Sequence, residues 1–199
     1  MRLSLAGAAA ALAAAAVSPA AFAAPELTPP PPSFLTCKAA AGGTVCSGTR
    51  TIDYGPEESG LTCGTGANAF AILDRGSFRQ RATRYYDADG NLTRRVLHET
   101  YTLGELTNAA TGTTVDYTQH NTITTVPAVP GDLDTATETI TGELIATMPR
   151  RGLVLAETGR IAFAPDFTIE FASGQHDIED YFRVDPSALD RLCAALAAG

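Results

Sequence analysis

The sequence predicts an all-β domain. Its expected form is an antiparallel up-and-down meander of about seven or eight strands, curled into a barrel or a strongly bent sandwich, with a short C-terminal α-helix. Three observations predict it. From Cys37 onward, runs rich in Thr, Val, Ile and aromatic residues recur, which suits a half-buried pleated surface. Turn signals separate the runs at Asp89-Gly90-Asn91, Thr111-Gly112, Pro130-Gly131, Pro149 to Gly152 and Pro165-Asp166. Helical spacing occurs only at the end, where Asp185-Pro186-Ser187 supplies a capping oxygen and an early proline. Ala188, Leu189, Leu192, Cys193 and Leu196 follow at that spacing. Closure is expected because long open edges rich in Thr and Val invite aggregation.

Residues 1–23 read as a secretory signal peptide. Arg2 gives a short positive region, Leu5 to Val17 is uncharged and mostly alanine, and Ala21-Phe22-Ala23 supplies the small-x-small cleavage pattern. The apolar run is too short to span a bilayer, which takes roughly 20 residues. Residues 24–36 form a proline-rich linker, with Pro29 to Pro32 consecutive, expected as a polyproline II tether that holds the domain away from whatever precedes it. Residues 37–199 are then a single domain. Export to an oxidising compartment makes the four cysteines a disulfide framework. Of the three possible pairings, Cys37–Cys46 and Cys63–Cys193 are favoured, the second tying the start of the core to the last helix. No CxxC and no paired histidines occur, so a zinc site is not expected.

The central strands divide by a period of two. One face carries Phe78, Gln80, Ala82, Arg84 and Tyr86, then Arg95, Leu97, Glu99, Tyr101 and Leu103, then Val115, Tyr117, Gln119, Asn121 and Ile123. It is more apolar than the alternate face, which carries Arg79, Arg81, Arg94, Val96, His98, His120 and Thr122, so it is expected inside. A two-residue turn at Asp89-Gly90 sets Phe78 opposite Tyr101, Gln80 opposite Glu99 and Ala82 opposite Leu97. Continuing the register sets Glu99 across from Asn121 and Tyr101 across from Gln119. The inward face thus has apolar ends and a polar middle. Groups buried there without partners cost about 1–3 kcal/mol each, so they bond one another, trapped water or a ligand. The candidate ligand-binding residues are Gln80, Arg95, Glu99, Tyr101, Tyr117, Gln119 and Asn121.

Net charge is −8, with a single lysine, Lys38. This excludes a protein built to ride on phosphates, so no nucleic-acid partner is expected. Nor is there a polybasic segment for an anionic membrane, or a later run long enough to span one. Asp87 to Asn91 opens like a calcium loop, but an EF-hand's Gly and bidentate Glu positions hold Leu92 and His98. His98-Glu99 lacks the second histidine of a zinc protease, and no Gly-x-Ser-x-Gly elbow occurs. Neither a metal nor a cofactor is expected. The three histidines, His98, His120 and His176, read as solvated surface residues. Arg79, Arg81, Arg84, Arg94 and Arg95 read as partners of Asp74, Asp87 and Asp116.

Cys63-Gly64, Asp87 to Asn91, Thr111-Gly112 and Leu192-Cys193-Ala194-Ala195-Leu196 together resemble secreted bacterial all-β meander proteins. The likeness covers roughly residues 37–196 and rests on turn chemistry. More distantly, the meander looks like up-and-down barrels of the lipocalin and allene oxide cyclase kind, an architectural likeness without the lipocalin Gly-x-Trp signature. The resemblance implies a fold and no catalytic residue.

Three functional expectations follow. The first is a secreted, non-catalytic barrel that binds a small, partly apolar ligand in its lumen. The second is a cofactor-free isomerase, cyclase or hydrolase with Glu99 as general acid or base. The third is a purely structural extracellular domain.

Overall fold

The computed structural model describes residues 25–198. Eight strands form one antiparallel sheet in sequence order: β1 Thr36–Ala40, β2 Gly43–Cys63, β3 Phe70–Tyr86, β4 Leu92–Asn108, β5 Thr114–Pro127, β6 Ala136–Met148, β7 Gly152–Phe163 and β8 Ile169–His176. Each expected turn signal falls between two consecutive strands. The ladder does not continue from β8 to β1, so the curled sheet stays open along that seam. Two helices follow, α1 Asp177–Arg183 and α2 Asp190–Leu196, joined through a 3₁₀ turn at Pro186–Leu189.

The central register matches expectation: Phe78 faces Tyr101, Gln80 faces Glu99, Ala82 faces Leu97, and Glu99 faces Asn121. The turn that sets it is longer than two residues. Asp87 N–H donates to the Asn91 carbonyl, Gly90 adopts φ +87°, and the Asp87 carboxylate accepts from the Asp89 and Asn91 amides. A bulge between Tyr85 and Tyr86 then restores the pairing. A second bulge, between Ser77 and Phe78, inserts Thr102 and reverses the alternation below it. Leu103 therefore points outward and is 44% exposed, a correction to its expected inward placement, while Leu106 takes the core position. The same irregularity interrupts the β4–β5 ladder between Thr100 and Glu105, so Tyr101 does not pair with Gln119. Val96, on the alternate face, is nonetheless buried.

The core sits at one end of the concave face. Ile72, Leu106, Val115, Tyr117, Ala146 and Leu155 project from the sheet and meet Leu189, Leu192, Ala195 and Leu196. The Asp185 carboxylate caps the 3₁₀ turn by accepting from the Ser187 amide. Cys63–Cys193 fastens this helical plug to the end of β2, and Cys37–Cys46 ties β1 to β2. Both bonds follow the favoured pairing. α1 is a correction, because helical structure was expected only from Asp185 onward. The buried Asp177 carboxylate accepts from the Ala156 amide and pairs with Arg191, joining α1 to β7 and α2.

The far end is closed by the proline-rich segment, which is docked rather than held off. Thr28 exchanges backbone hydrogen bonds with Gly90 and Leu92, the Tyr86 hydroxyl donates to the Pro29 carbonyl, and Arg84 donates to that of Pro30. Leu27, Leu35 and Leu133 pack there on Cys46, Tyr86 and Leu92. The expected signal peptide lies outside the described residues. No helix among the described residues is long and apolar enough to cross a membrane.

Candidate functional site

The site lies between the sheet and the helical plug. Pairing from β2 to β8 puts Arg50, Gln80, Glu99, Asn121, Gly142, Gly159 and Gly174 on a single cross-strand row of the concave face. Hydrogen bonds run along its first part. Arg50 Nε donates to Gln80 Oε1 at 2.9 Å, and Gln80 Nε2 donates to Glu99 Oε1 at 2.8 Å. They stop at Asn121, whose Oδ1 is buried with no hydrogen-bond partner. The physical cause is the next three residues, all glycines, which offer no side chain to answer it.

The glycines are required by close backbone approach. A Cβ on Gly142 would strike the His120 carbonyl oxygen, one on Gly159 that of Ser173, and one on Gly174 that of Thr158. Neighbouring backbone thus occupies the positions that Cβ atoms would take along this line. A chamber of about 220 Å³ lies against it, lined by Gln119, Asn121, Gly142 and Gly159, with Ile140, Leu144, Ile161, Phe163 and Ile178 as apolar walls. Glu143, Glu157, His176 and Glu179 complete the lining.

A second chamber of about 270 Å³ adjoins it, sharing Gln119, Leu144 and Ile178. Glu57, Glu58, Asp74, Tyr101 and Tyr117 contribute its polar lining. The Asp74 carboxylate accepts from Tyr54 at 3.1 Å and from Tyr117 at 3.0 Å, and the two hydroxyls lie 2.7 Å apart. Tyr54 and Tyr117 rest against Gly76 and Gly104, where a Cβ would collide with each ring. Burial raises the Asp74 carboxyl above its ordinary value against the pull of both hydroxyls. It also pushes the Tyr54, Tyr101 and Tyr117 phenols far up.

Glu157 and His176 hold α1 over the first chamber. Glu157 Oε1 accepts from the Ile178 amide, and its Oε2 lies 3.2 Å from His176 Nδ1. His176 Nε2 lies 3.1 Å from the Ser173 carbonyl. Burial raises the Glu157 carboxyl, opposed by the Ile178 amide and the histidine. His176 is 8% exposed, which corrects its reading as a surface residue.

The seven candidate residues divide. Tyr101, Tyr117, Gln119 and Asn121 line the chambers. Gln80, Arg95 and Glu99 line neither. Gln80 and Glu99 satisfy one another, and Arg95 donates to Thr125 Oγ1 and pairs with Glu138 at 3.2 Å. Asp74, Glu157, His176 and Ile178 were missed, because strand bulges and α1 bring them to the site. A buried polar residue flanked in the ladder by glycines was the one signal available, visible once strands are paired.

The expected arginine pairs do not form. Asp74 and Asp87 are engaged as described, the arginine salt bridges are Arg75–Glu105, Arg95–Glu138 and Arg191–Asp177, and Arg79, Arg81 and Arg94 stand exposed. His98 and His120 are exposed on the same convex face, His98 Nδ1 lying 2.9 Å from Thr122 Oγ1. No family model matches the chain, and neither the curated proteins nor the solved structures searched contain a significant match.

Proposed function

We propose that the chain is a secreted, non-catalytic binding protein that takes a small, partly apolar ligand into the concave chambers. The observation that carries this reading is the buried, unanswered Asn121 Oδ1 beside a largely apolar space. A buried acceptor without a partner costs on the order of 1–3 kcal/mol, and a ligand hydroxyl or N–H recovers it while its apolar part covers Ile140, Leu144, Ile161 and Phe163. The combination of apolar walls with a few convergent polar groups is the usual character of a small-molecule site. Export is supported by the Arg2-to-Ala23 leader pattern in the sequence and by the two disulfides.

The test is native mass spectrometry of the protein isolated from its secretion medium, combined with thermal shift against a panel of small alcohols, phenols and amides. A retained molecule or a saturable rise in Tm is expected, lost in Asn121→Leu. Absence of both a retained molecule and any stabilisation at millimolar ligand overturns the reading.

A further inference from the structure

We infer that the ligand is an organic amine bound as its ammonium, with an apolar body and the charged head toward the acidic lining. This rests on the binding reading above and adds the sign of the ligand's charge. Three observations carry it. The acids lining the first chamber include Glu157 and Glu179 and those lining the second Glu57 and Asp74, Glu143 pairing with His120 on the convex face, and among the described residues no Lys or Arg lines either. The protein's arginines are directed elsewhere: Arg50 is held by Gln80, Arg95 by Glu138 and Arg191 by Asp177, while Arg79, Arg81 and Arg94 lie on the convex face. The only basic side chain in the lining, His176, already sits against Glu157 and the Ser173 carbonyl.

The third observation is independent of the carboxylates. Asn121 Oδ1 is a buried acceptor without a donor, and an ammonium brings three donors and accepts nothing. A carboxylate ligand would bring acceptors to an acceptor and negative charge to an acidic lining. An alcohol answers Asn121 and leaves the charge uncompensated. Among the described residues, Glu57 and Glu179 make no salt bridge, so their field is free to act on the ligand. Tyr101 and Tyr117 add ring faces suited to a cation.

The experiment is isothermal titration of the full mature protein with 2-phenylethylamine, 2-phenylethanol and phenylacetate at neutral pH. The amine is expected to bind about tenfold more tightly than the alcohol, a difference of about 1.4 kcal/mol, with phenylacetate weakest. The amine's advantage should shrink as salt is raised, because partly exposed charges are screened. Glu179→Gln combined with Glu57→Gln should bring amine and alcohol toward parity, read as the ratio of the two affinities in the same variant. An alcohol that binds as tightly as the amine, or a carboxylate that binds best, overturns the charge assignment and leaves the binding reading standing. If none of the three binds, and the wider panel above also gives no stabilisation, both fall together.

Discussion

The β2–β4 side and the β5–β8 side of the concave face share a cross-strand row and end it differently. On the first side Arg50, Gln80 and Glu99 hand hydrogen bonds from strand to strand, and nothing is left over for a ligand. On the second, Gly142, Gly159 and Gly174 take the corresponding positions, and Asn121 is left as the last polar group facing a void. Polarity alone did not distinguish the two. The supply of neighbouring side chains did. A polar residue in a barrel-like interior is left unsatisfied where the next strand cannot answer it.

The two disulfides offer the largest test of how the two ends are held. In the chain-entropy model, replacing Cys63 and Cys193 by alanine, which opens a separation of 130 residues, costs about 5 kcal/mol, whereas opening the 9-residue separation of Cys37–Cys46 costs about 2.5 kcal/mol. Guanidinium unfolding of each double variant measures the difference. Equal losses would mean that the helical plug is held by packing alone.

Within the row, Gln80→Ala is expected to cost about 1–2 kcal/mol, because it removes the hydrogen bonds to Arg50 and Glu99. Asn121→Leu is expected to change stability by less than about 0.5 kcal/mol or to raise it, since its Oδ1 has no bond to lose. Urea midpoints for the two variants at a common slope decide the matter. If Asn121→Leu proves the more damaging, the contrast between the two sides is wrong.

The smallest expected effect is the pH dependence of the second chamber. Asp74 holds its proton to higher pH in the folded chain than its ordinary value of 3.8. Its contribution to stability is therefore full below that value and is lost as pH rises through the folded pKa. The Tm of the native protein relative to Asp74→Asn should be highest at the acid end and fall as pH rises from about 4 through the folded carboxyl's raised pKa. A difference that rises with pH would mean that the Tyr54 and Tyr117 hydroxyls outweigh burial.

The central faces were legible in the sequence because strand periodicity is local. Leu97, Tyr101 and Ile123 sit on the concave face, and His98 and His120 are exposed outside. The Gln80–Glu99–Asn121 alignment was legible as well, although through a turn one residue too short, offset by a bulge the sequence does not announce. Leu103 shows the limit of the same rhythm. One inserted residue at Thr102 reverses every side chain that follows, and no composition signal marks it. His176 shows another limit, since its burial depends on α1 folding over it and on Glu157 from a different strand.

By itself the sequence determined the strand order, the turns, the favoured cysteine pairing and the inward character of the central strands. Each of these is set by residues close along the chain, or by the small number of ways four cysteines can pair. Only the tertiary structure decided which inward polar residues are satisfied, where glycines from three strands line up, and which carboxyls burial pushes above their ordinary pKa. These depend on side chains brought from distant strands into one row, and whether a buried group is answered is fixed by what stands across from it in space.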